Sequence, residues 1–399
     1  MDPLTDWIKQ NDILELLLEL EKGNTFFDGK SLTAYSLLED EFSSLVKKRL
    51  EFDIPIIPFN PIDGLTDEQN AQVKIAINRP LGVIAGGPGT GKSHTAAKLV
   101  ETLQKNITSR LDMVFTAPTG KAAERLKSLF QGVNVKSMTL HRLIGQDEVI
   151  LPYDLIVVDE ASMIDLKLMV RLFKSVKKGA RLILLGDGNQ LPAVDAGAPF
   201  QALVDYLKIN PLRTCLRSEL IELKSFYDLI LDGDGEKALT YLKSEKRKNL
   251  HLLPLQIPSA YPVLSPIKHG PYGVNQINRS HSKRGAVPII ILENDDDLEL
   301  FNGDMGVIQG ERAKIGDRVF PLNLLPRYDY AFALSIHKSQ GSEFDHVHLL
   351  LPEGAEEFGR NLLYTGATRA KKSLTIYSSD ETFIKTVSEK PKRVFKKII

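Results

Sequence analysis

The sequence predicts an α/β fold: two successive units with parallel sheets, a short helical segment ahead of them, and a small β insert in the second unit. Three observations carry this. Nearly all-apolar strands (Leu81–Ala85, Met113–Ala117, Leu155–Val158 and 182–185) alternate with amphipathic stretches from Leu65 to about Asp205, as expected for strands buried on both faces of a parallel sheet. A second run of the same kind, clearest at 261–264, 347–351 and 374–377, extends to the C-terminus. A glycine-rich loop, Gly86-Gly-Pro-Gly-Thr-Gly-Lys-Ser93, leaves the first strand and opens a helix.

Taken in order, Trp7, Ile8, Ile13, Leu14, Leu17 and Leu18 recur at helical spacing, and the pattern holds to about residue 52. Pro55, Pro58 and Pro61 then mark a linker. We therefore expect a helical N-terminal domain over 1–60, packed on the rest or docked on a partner. A first α/β domain follows over 61–205 and a second over 206–399. Residues 268–329 of the second, rich in Gly, Pro and short β-like runs, are expected to form the insert.

The bulk numbers narrow the class. The 399 residues carry 51 basic and 51 acidic side chains, so net charge neither supports nor excludes nucleic acid; a DNA-tracking protein needs a local basic groove, not a basic average. The lone Cys215 allows no internal disulfide and no zinc site, which fits a reducing cytoplasm. No basic region precedes an apolar run at the N-terminus. The apolar stretch 13–20 is broken by Glu15 and Glu19 and is too short to span a bilayer, so no membrane association is expected. Asp232-Gly-Asp-Gly-Glu236 resembles the start of a calcium loop, but Lys237 and Lys243 stand where Gly and Glu are required. Asp295-Asp-Asp297 reads as a loop, and the basic tail from Lys390 as a solvated one.

The loop at 86–93 predicts a nucleoside triphosphate site. Gly86, Gly87, Pro88, Gly89, Thr90 and Gly91 let the backbone turn its N–H groups toward phosphates, and the helix N-terminus adds positive potential. Lys92 would reach the β- and γ-phosphates and the Ser93 hydroxyl would bind Mg²⁺. The strand Leu155-Ile-Val-Val-Asp159-Glu160 ends in paired carboxylates: Asp159 to hold the metal through water, Glu160 to orient and polarise the attacking water. A third strand ends in Gly186-Asp-Gly-Asn-Gln190, which places Gln190 to sense the γ-phosphate. Phosphoryl transfer also needs positive charge opposite the lysine, and Arg217 and Arg369 are the candidates. Both lie in the second unit, so the nucleotide is expected in a cleft whose closure is coupled to hydrolysis.

Seven segments then occur in order: the glycine-rich loop, Thr116-Ala-Pro-Thr-Gly-Lys-Ala-Ala123, Thr139-Leu-His-Arg142, Val157-Val-Asp-Glu-Ala-Ser162, Gly186-Asp-Gly-Asn-Gln-Leu-Pro192, Ala333-Leu-Ser-Ile-His-Lys-Ser-Gln-Gly-Ser-Glu343 and Leu363-Tyr-Thr-Gly-Ala-Thr-Arg-Ala370. This set resembles the superfamily 1B DNA helicases, above all the RecD-like α subunits of exodeoxyribonuclease V. The resemblance runs from about Leu65 to Tyr377. It implies two RecA-like P-loop NTPase domains, an SH3-like β insert opened by Phe301-Asn-Gly-Asp-Met-Gly-Val307, and 5′→3′ movement along single-stranded DNA. Gln69 looks like the adenine-reading glutamine, and Gln340, Gly341 and Glu343 like the segment joining nucleotide to track. Arg369 looks like the arginine finger. Pro118, Thr119, Lys121, His141, Ser335, His337 and Lys338 match positions near the DNA backbone, where contacts position the strand without reading its sequence.

The resemblance also implies RecB-like and RecC-like partner subunits, duplex DNA ends as substrate, a role in recombinational double-strand break repair, and a nuclease on another chain. Two departures stand out. The Phe-Arg-Gln of the family's phosphate-sensing segment reads Leu216-Arg217-Ser218 here, and the loop 145–153 is short where solitary relatives carry a duplex-splitting hairpin. The short loop predicts a chain that translocates well and unwinds poorly by itself. Removing residues 1–55 is expected to spare the DNA-stimulated ATPase and to lose assembly. A solitary 5′→3′ helicase is the competing enzymatic reading. A DNA-binding scaffold with a decayed ATPase is opposed by intact Lys92, Ser93, Asp159, Glu160, Gln190 and Arg369.

Overall fold

The computed structural model describes residues 33–107, 111–130, 135–145, 149–192, 197–216, 221–244, 248–281, 286–295, 297–390 and 398. Arg217 and Ser218, most of the N-terminal helical segment, part of the loop 145–153 and most of the basic tail lie outside them. Helix α1 (Thr33–Leu50) leads, and α2 (Asp67–Ile77) follows the proline-marked linker. The first α/β domain then runs β1 (Leu81–Ala85), α3 (Lys92–Asn106), β2 (Met113–Ala117), α4 (Gly120–Ser128), β3 (Lys136–Thr139), α5 (Leu140–Ile144), β4 (Leu155–Val158), α6 (Leu166–Ser175), β5 (Arg181–Gly186) and α7 (Pro199–Tyr206). Its five strands pair in parallel in the order β1-β5-β4-β2-β3.

Period-two alternation splits β1, β2, β4 and β5 between two cores. Val83, Val114, Ile156 and Leu182 join α6 and α7 on one face, while Ile84, Phe115, Val157 and Ile183 join α2 and α3 on the other. That is why these strands read as unbroken apolar runs. Helix α1 belongs to the first of these cores. Phe42 and Val46 are fully buried there, Phe42 meets the Phe173 ring edge-on at 5.2 Å, and the Arg49 guanidinium donates to the Val176, Lys177 and Ala180 carbonyls.

The second domain contains α8 (Ile221–Asp232), α9 (Gly235–Leu242), β6 (Leu250–Leu253), β7 (Val263–Ser265), α10 (Val274–His281), an insert of β8 (Val287–Ile291), β9 (Met305–Gln309), β10 (Arg312–Ile315), β11 (Arg318–Pro321) and β12 (Tyr328–Tyr330), then β13 (Ala333–Ser335), β14 (Phe344–Leu350), α11 (Arg360–Ala367), β15 (Ala370–Tyr377) and α12 (Asp380–Ser388). Its own sheet is parallel, in the order β13-β7-β14-β15-β6. The insert is a separate antiparallel sheet, β11-β10-β9-β8-β12. It starts later than the Gly/Pro-rich stretch suggests. Residues 274–281 form a helix instead, whose Ile277 packs with Val263 and Ala333 and whose Asn278 bonds the backbone at Tyr330 and Ala333. Apolar packing on β7 and β13 therefore assigns α10 to the parallel sheet.

Hydrogen bonds tie α11 and the segment before β14 to the first domain near the C-terminal ends of its sheet. Tyr364 Oη donates to Asp187 Oδ2 at 2.8 Å, the Leu191 amide to Thr365 Oγ1 at 2.7 Å, and Gln340 Nε2 to the Leu191 carbonyl at 2.8 Å. Further out, Phe301 of the insert lies against the start of α4. A Cβ added to Gly120 would come within 2.7 Å of the Phe301 ring, so only glycine permits this approach.

Candidate functional site

The glycine-rich loop turns between β1 and α3. At Gly86 a Cβ would meet the Thr90 hydroxyl at 2.7 Å and Leu212 at 2.8 Å, and Gly91 has φ +77, a left-handed conformation that favours glycine. Thr90 is buried and donates to the Gly87 carbonyl at 2.8 Å, bracing the turn. The Lys92 ammonium donates to the Gly86 and Gly87 carbonyls at 2.8 and 3.1 Å, which folds its side chain back over the loop. Ser93 Oγ lies 3.3 Å from Asp159 Oδ2.

Asp159 ends β4, and Glu160 follows it in a left-handed conformation, φ 51. This turn lets the Glu160 amide donate to Asp159 Oδ1 at 2.8 Å and leaves the Glu160 side chain facing the cavity. Burial pushes the Asp159 carboxyl up; the neighbouring Glu160 carboxylate adds to that push, and Lys92 and Arg125 pull against it. Asp187, after β5, is also raised by burial, against the pull of Lys92 and of its hydrogen bonds from Tyr364, Asn189 and Gln190. Gln190 spends its Nε2 on Asp187 Oδ2 at 3.4 Å, while its buried Oε1 finds no partner among the described residues.

Lys92, Ser93, Asp159, Glu160 and Gln190 border one cavity of about 280 Å³ between the domains. The first domain gives Gly87, Pro88, Gly89, Gly91, Lys92, Ser93, Asp159, Glu160 and Gln190; the second gives Gly341, Glu343 and Arg369. Arg369 is buried, with its guanidinium donating to the Thr365 carbonyl, the Ser342 carbonyl and Thr368 Oγ1 at 3.0, 3.4 and 3.1 Å. Gly86 and Thr90 brace the loop from beneath, outside the lining. Two other expected residues stand back from the cavity. Gln69 closes a capping box with Thr66 and donates to the Thr90 carbonyl at 3.0 Å, so its buried amide supports the loop. Gln340 is spent on Leu191 across the cleft.

The residues expected near DNA fall at the same end of both sheets. Pro118, Thr119 and Lys121 leave β2, with Thr119 capping α4 at the Ala122 amide. His141 is exposed on α5. Ser335 ends β13 and accepts from the Lys338 amide, His337 is half-buried, and Lys338 is exposed. Thr119 approaches Gly341 closely enough that a Cβ there would lie 3.5 Å from its hydroxyl. The sequence reading passed over His94, Arg125, Leu129, Leu216 and Thr368, which also line the cavity, and Tyr364, which grips Asp187. Helical spacing offered one signal: Arg125 and Leu129 follow Lys121 at steps of four.

Comparison with known proteins agrees with this geometry. Residues 64–251 match the family model of an AAA domain and residues 330–377 that of a UvrD-like helicase C-terminal domain. The RecBCD enzyme subunit RecD of Mycobacterium tuberculosis is 33% identical over 79% of this chain and 69% of its own length. That of Haemophilus influenzae is 29% identical over 82% and 71%. A crystal structure of Pif1 helicase from Bacteroides shares the fold, with a TM-score of 0.52 at 19% identity over 80% of this chain and 94% of that one. Two parallel-sheet domains, a phosphate loop facing an arginine across a cleft, and relatives at this identity agree: the chain belongs to the RecD family of ATP-dependent DNA helicases.

Proposed function

We propose that this chain is the RecD-like motor subunit of a helicase–nuclease complex of the exodeoxyribonuclease V type. In this reading it works in the cytoplasm with RecB-like and RecC-like subunits, takes up single strands from duplex DNA ends, and moves 5′→3′ during recombinational double-strand break repair. The observation that supports it best is the cavity of about 280 Å³, lined by Lys92, Ser93, Asp159, Glu160 and Gln190 on one wall and Glu343 and Arg369 on the other.

The residues present fit ATP with Mg²⁺. Ser93 Oγ and Asp159 Oδ2, 3.3 Å apart, can share one cation's oxygen shell, and the unpartnered Gln190 Oε1 can accept from a water beside it. Bound Mg²⁺ would offset charge on the phosphates. Lys92 trades its carbonyl contacts for phosphate oxygens. Glu160 orients the attacking water and takes its proton. Arg369 faces the developing charge from the second domain, with Arg217 as a further candidate cation. Gln190 passes the state of the γ-phosphate to Asp187 and Tyr364, and so to the second domain. Thr119, Lys121, His141, Ser335, His337 and Lys338 hold the DNA backbone, and the strand advances as the cleft opens and closes.

The test uses labelled duplexes bearing 5′ or 3′ overhangs, or blunt ends, with ATP and Mg²⁺, with and without candidate partner subunits. The proposal expects co-purification with the partners and 5′-overhang-dependent unwinding that grows in their presence. Efficient unwinding of a long blunt duplex by the chain alone, with no partner bound, would support the solitary helicase instead.

A further inference from the structure

Helix α4 connects the two ends of the cleft. Its cap, Thr119, and its first turn, with Lys121, belong to the segment assigned to DNA. Lys121, Arg125 and Leu129 then follow at intervals of four, on one face, and Arg125 and Leu129 line the nucleotide cavity. Arg125 NH1 lies 3.8 Å from Glu343 Oε1 of the second domain, and its side chain is 48% exposed. An ion pair that long and that open contributes little, so exchanging it for another anion costs little.

Two other cations of this cavity are more heavily committed. Lys92 is bonded to two loop carbonyls, and Arg369 is buried with donors on three oxygens. Arg125 nevertheless lines the same cavity as Lys92, Ser93 and Asp159. A guanidinium is a fork of donors suited to phosphate oxygens.

We propose that Arg125 is a phosphate-binding residue of the nucleotide site, exchanged between Glu343 and the phosphate tail of ATP and carried on the helix that begins at the DNA segment. The inference rests on the nucleotide reading above and extends it. A group on α4 that grips ATP at one end and bears a DNA contact at the other makes the helix itself a coupling element between nucleotide and track.

The test measures binding of fluorescent adenosine, ADP and a non-hydrolysable ATP analogue to the full chain and to Arg125→Ala, Arg125→Lys and Lys127→Ala. Lys127 sits on the same helix but pairs with its neighbour Glu124 at 3.9 Å and is 54% exposed. Arg125→Ala is expected to weaken the ATP analogue on the order of tenfold, the scale of a charged hydrogen bond, with less effect on ADP and none on adenosine. Arg125→Lys should recover part of the loss, Lys127→Ala should match the wild type, and melting temperatures should agree. ATP-analogue binding by Arg125→Ala within threefold of wild type, or equal losses for adenosine and the ATP analogue, overturns the proposal. A wild-type chain that fails to bind the ATP analogue removes the nucleotide reading itself, and this inference with it.

Discussion

The Tyr364 hydroxyl donates to Asp187 Oδ2 at 2.8 Å, joining α11 of the second domain to the loop after β5 of the first. Both groups are buried, and Asp187 in turn holds Gln190 at the cavity wall. The bond is therefore a direct line from the nucleotide wall to the helix that precedes Arg369. Tyr364→Phe deletes the donor while keeping the ring that packs edge-on against Tyr227 at 6.1 Å. The expected cost is about 1–2 kcal/mol of stability, with a reduced response of ATPase rate to DNA. Thermal melting and ATPase assays with and without single-stranded DNA check it; unchanged DNA stimulation would mean that the bond is structural only.

Asp187 also gives a pH signature. Burial raises its carboxyl above the ordinary value of 3.8, so ionisation is less favourable in the folded chain than in the unfolded one. For an acid shifted this way, wild-type stability falls as pH rises from about 4 through the raised value and is flat above it. Asp187→Asn keeps an acceptor for Tyr364 and carries no charge. It should melt higher than wild type at neutral pH, with the difference shrinking as pH falls toward 4. A difference that is constant across that range would contradict the burial account.

The chemistry at the phosphate end is tested by two substitutions. Lys92→Ala removes the cation seated over Gly86 and Gly87 and should abolish turnover. Glu160→Gln keeps the αL turn and its amide bond to Asp159, so nucleotide binding should survive while hydrolysis slows on the order of a hundredfold, the scale of general-base loss. Near-normal turnover in the Glu160 variant assigns water activation to another residue.

The packing of α1 revises what truncation should do. Removing residues 1–55 also removes Phe42, Val46 and Arg49 from the core against α6. Loss of a buried phenylalanine alone costs about 3–5 kcal/mol, so this truncation should unfold at markedly lower temperature. Removal of residues 1–32 leaves those contacts in place and should keep the ATPase. Melting curves of the two truncations, read beside their ATPase rates, decide the point; equal stability of both would mean that α1 contributes nothing to the first domain.

Much of this architecture was legible because its signals are local. A strand buried on both faces must be apolar throughout, as 155–158 is, and a loop that wraps phosphates must have glycine where Gly86 and Gly91 sit. What stayed hidden depends on partners distant in sequence. Asp187 meets Tyr364 across 177 residues, and Arg125 gains meaning only when the second domain brings Glu343 opposite. Gln69 shows the converse: its motif is plain, yet Thr66 and Thr90 occupy its amide in a capping box and a loop brace. Residues 274–281 were obscured by the glycines and prolines around them; the contact of Ile277 with β7 and β13 decides that stretch in favour of a helix.

The central claim is that the cleft between the two sheets hydrolyses ATP in response to DNA held at their shared edge. The most direct measurement is steady-state ATP hydrolysis by the purified chain in Mg²⁺, with and without a single-stranded oligonucleotide. The account predicts slow hydrolysis that rises severalfold with DNA and is lost in Lys92→Ala. Hydrolysis that ignores DNA, or that persists in Lys92→Ala, would contradict it.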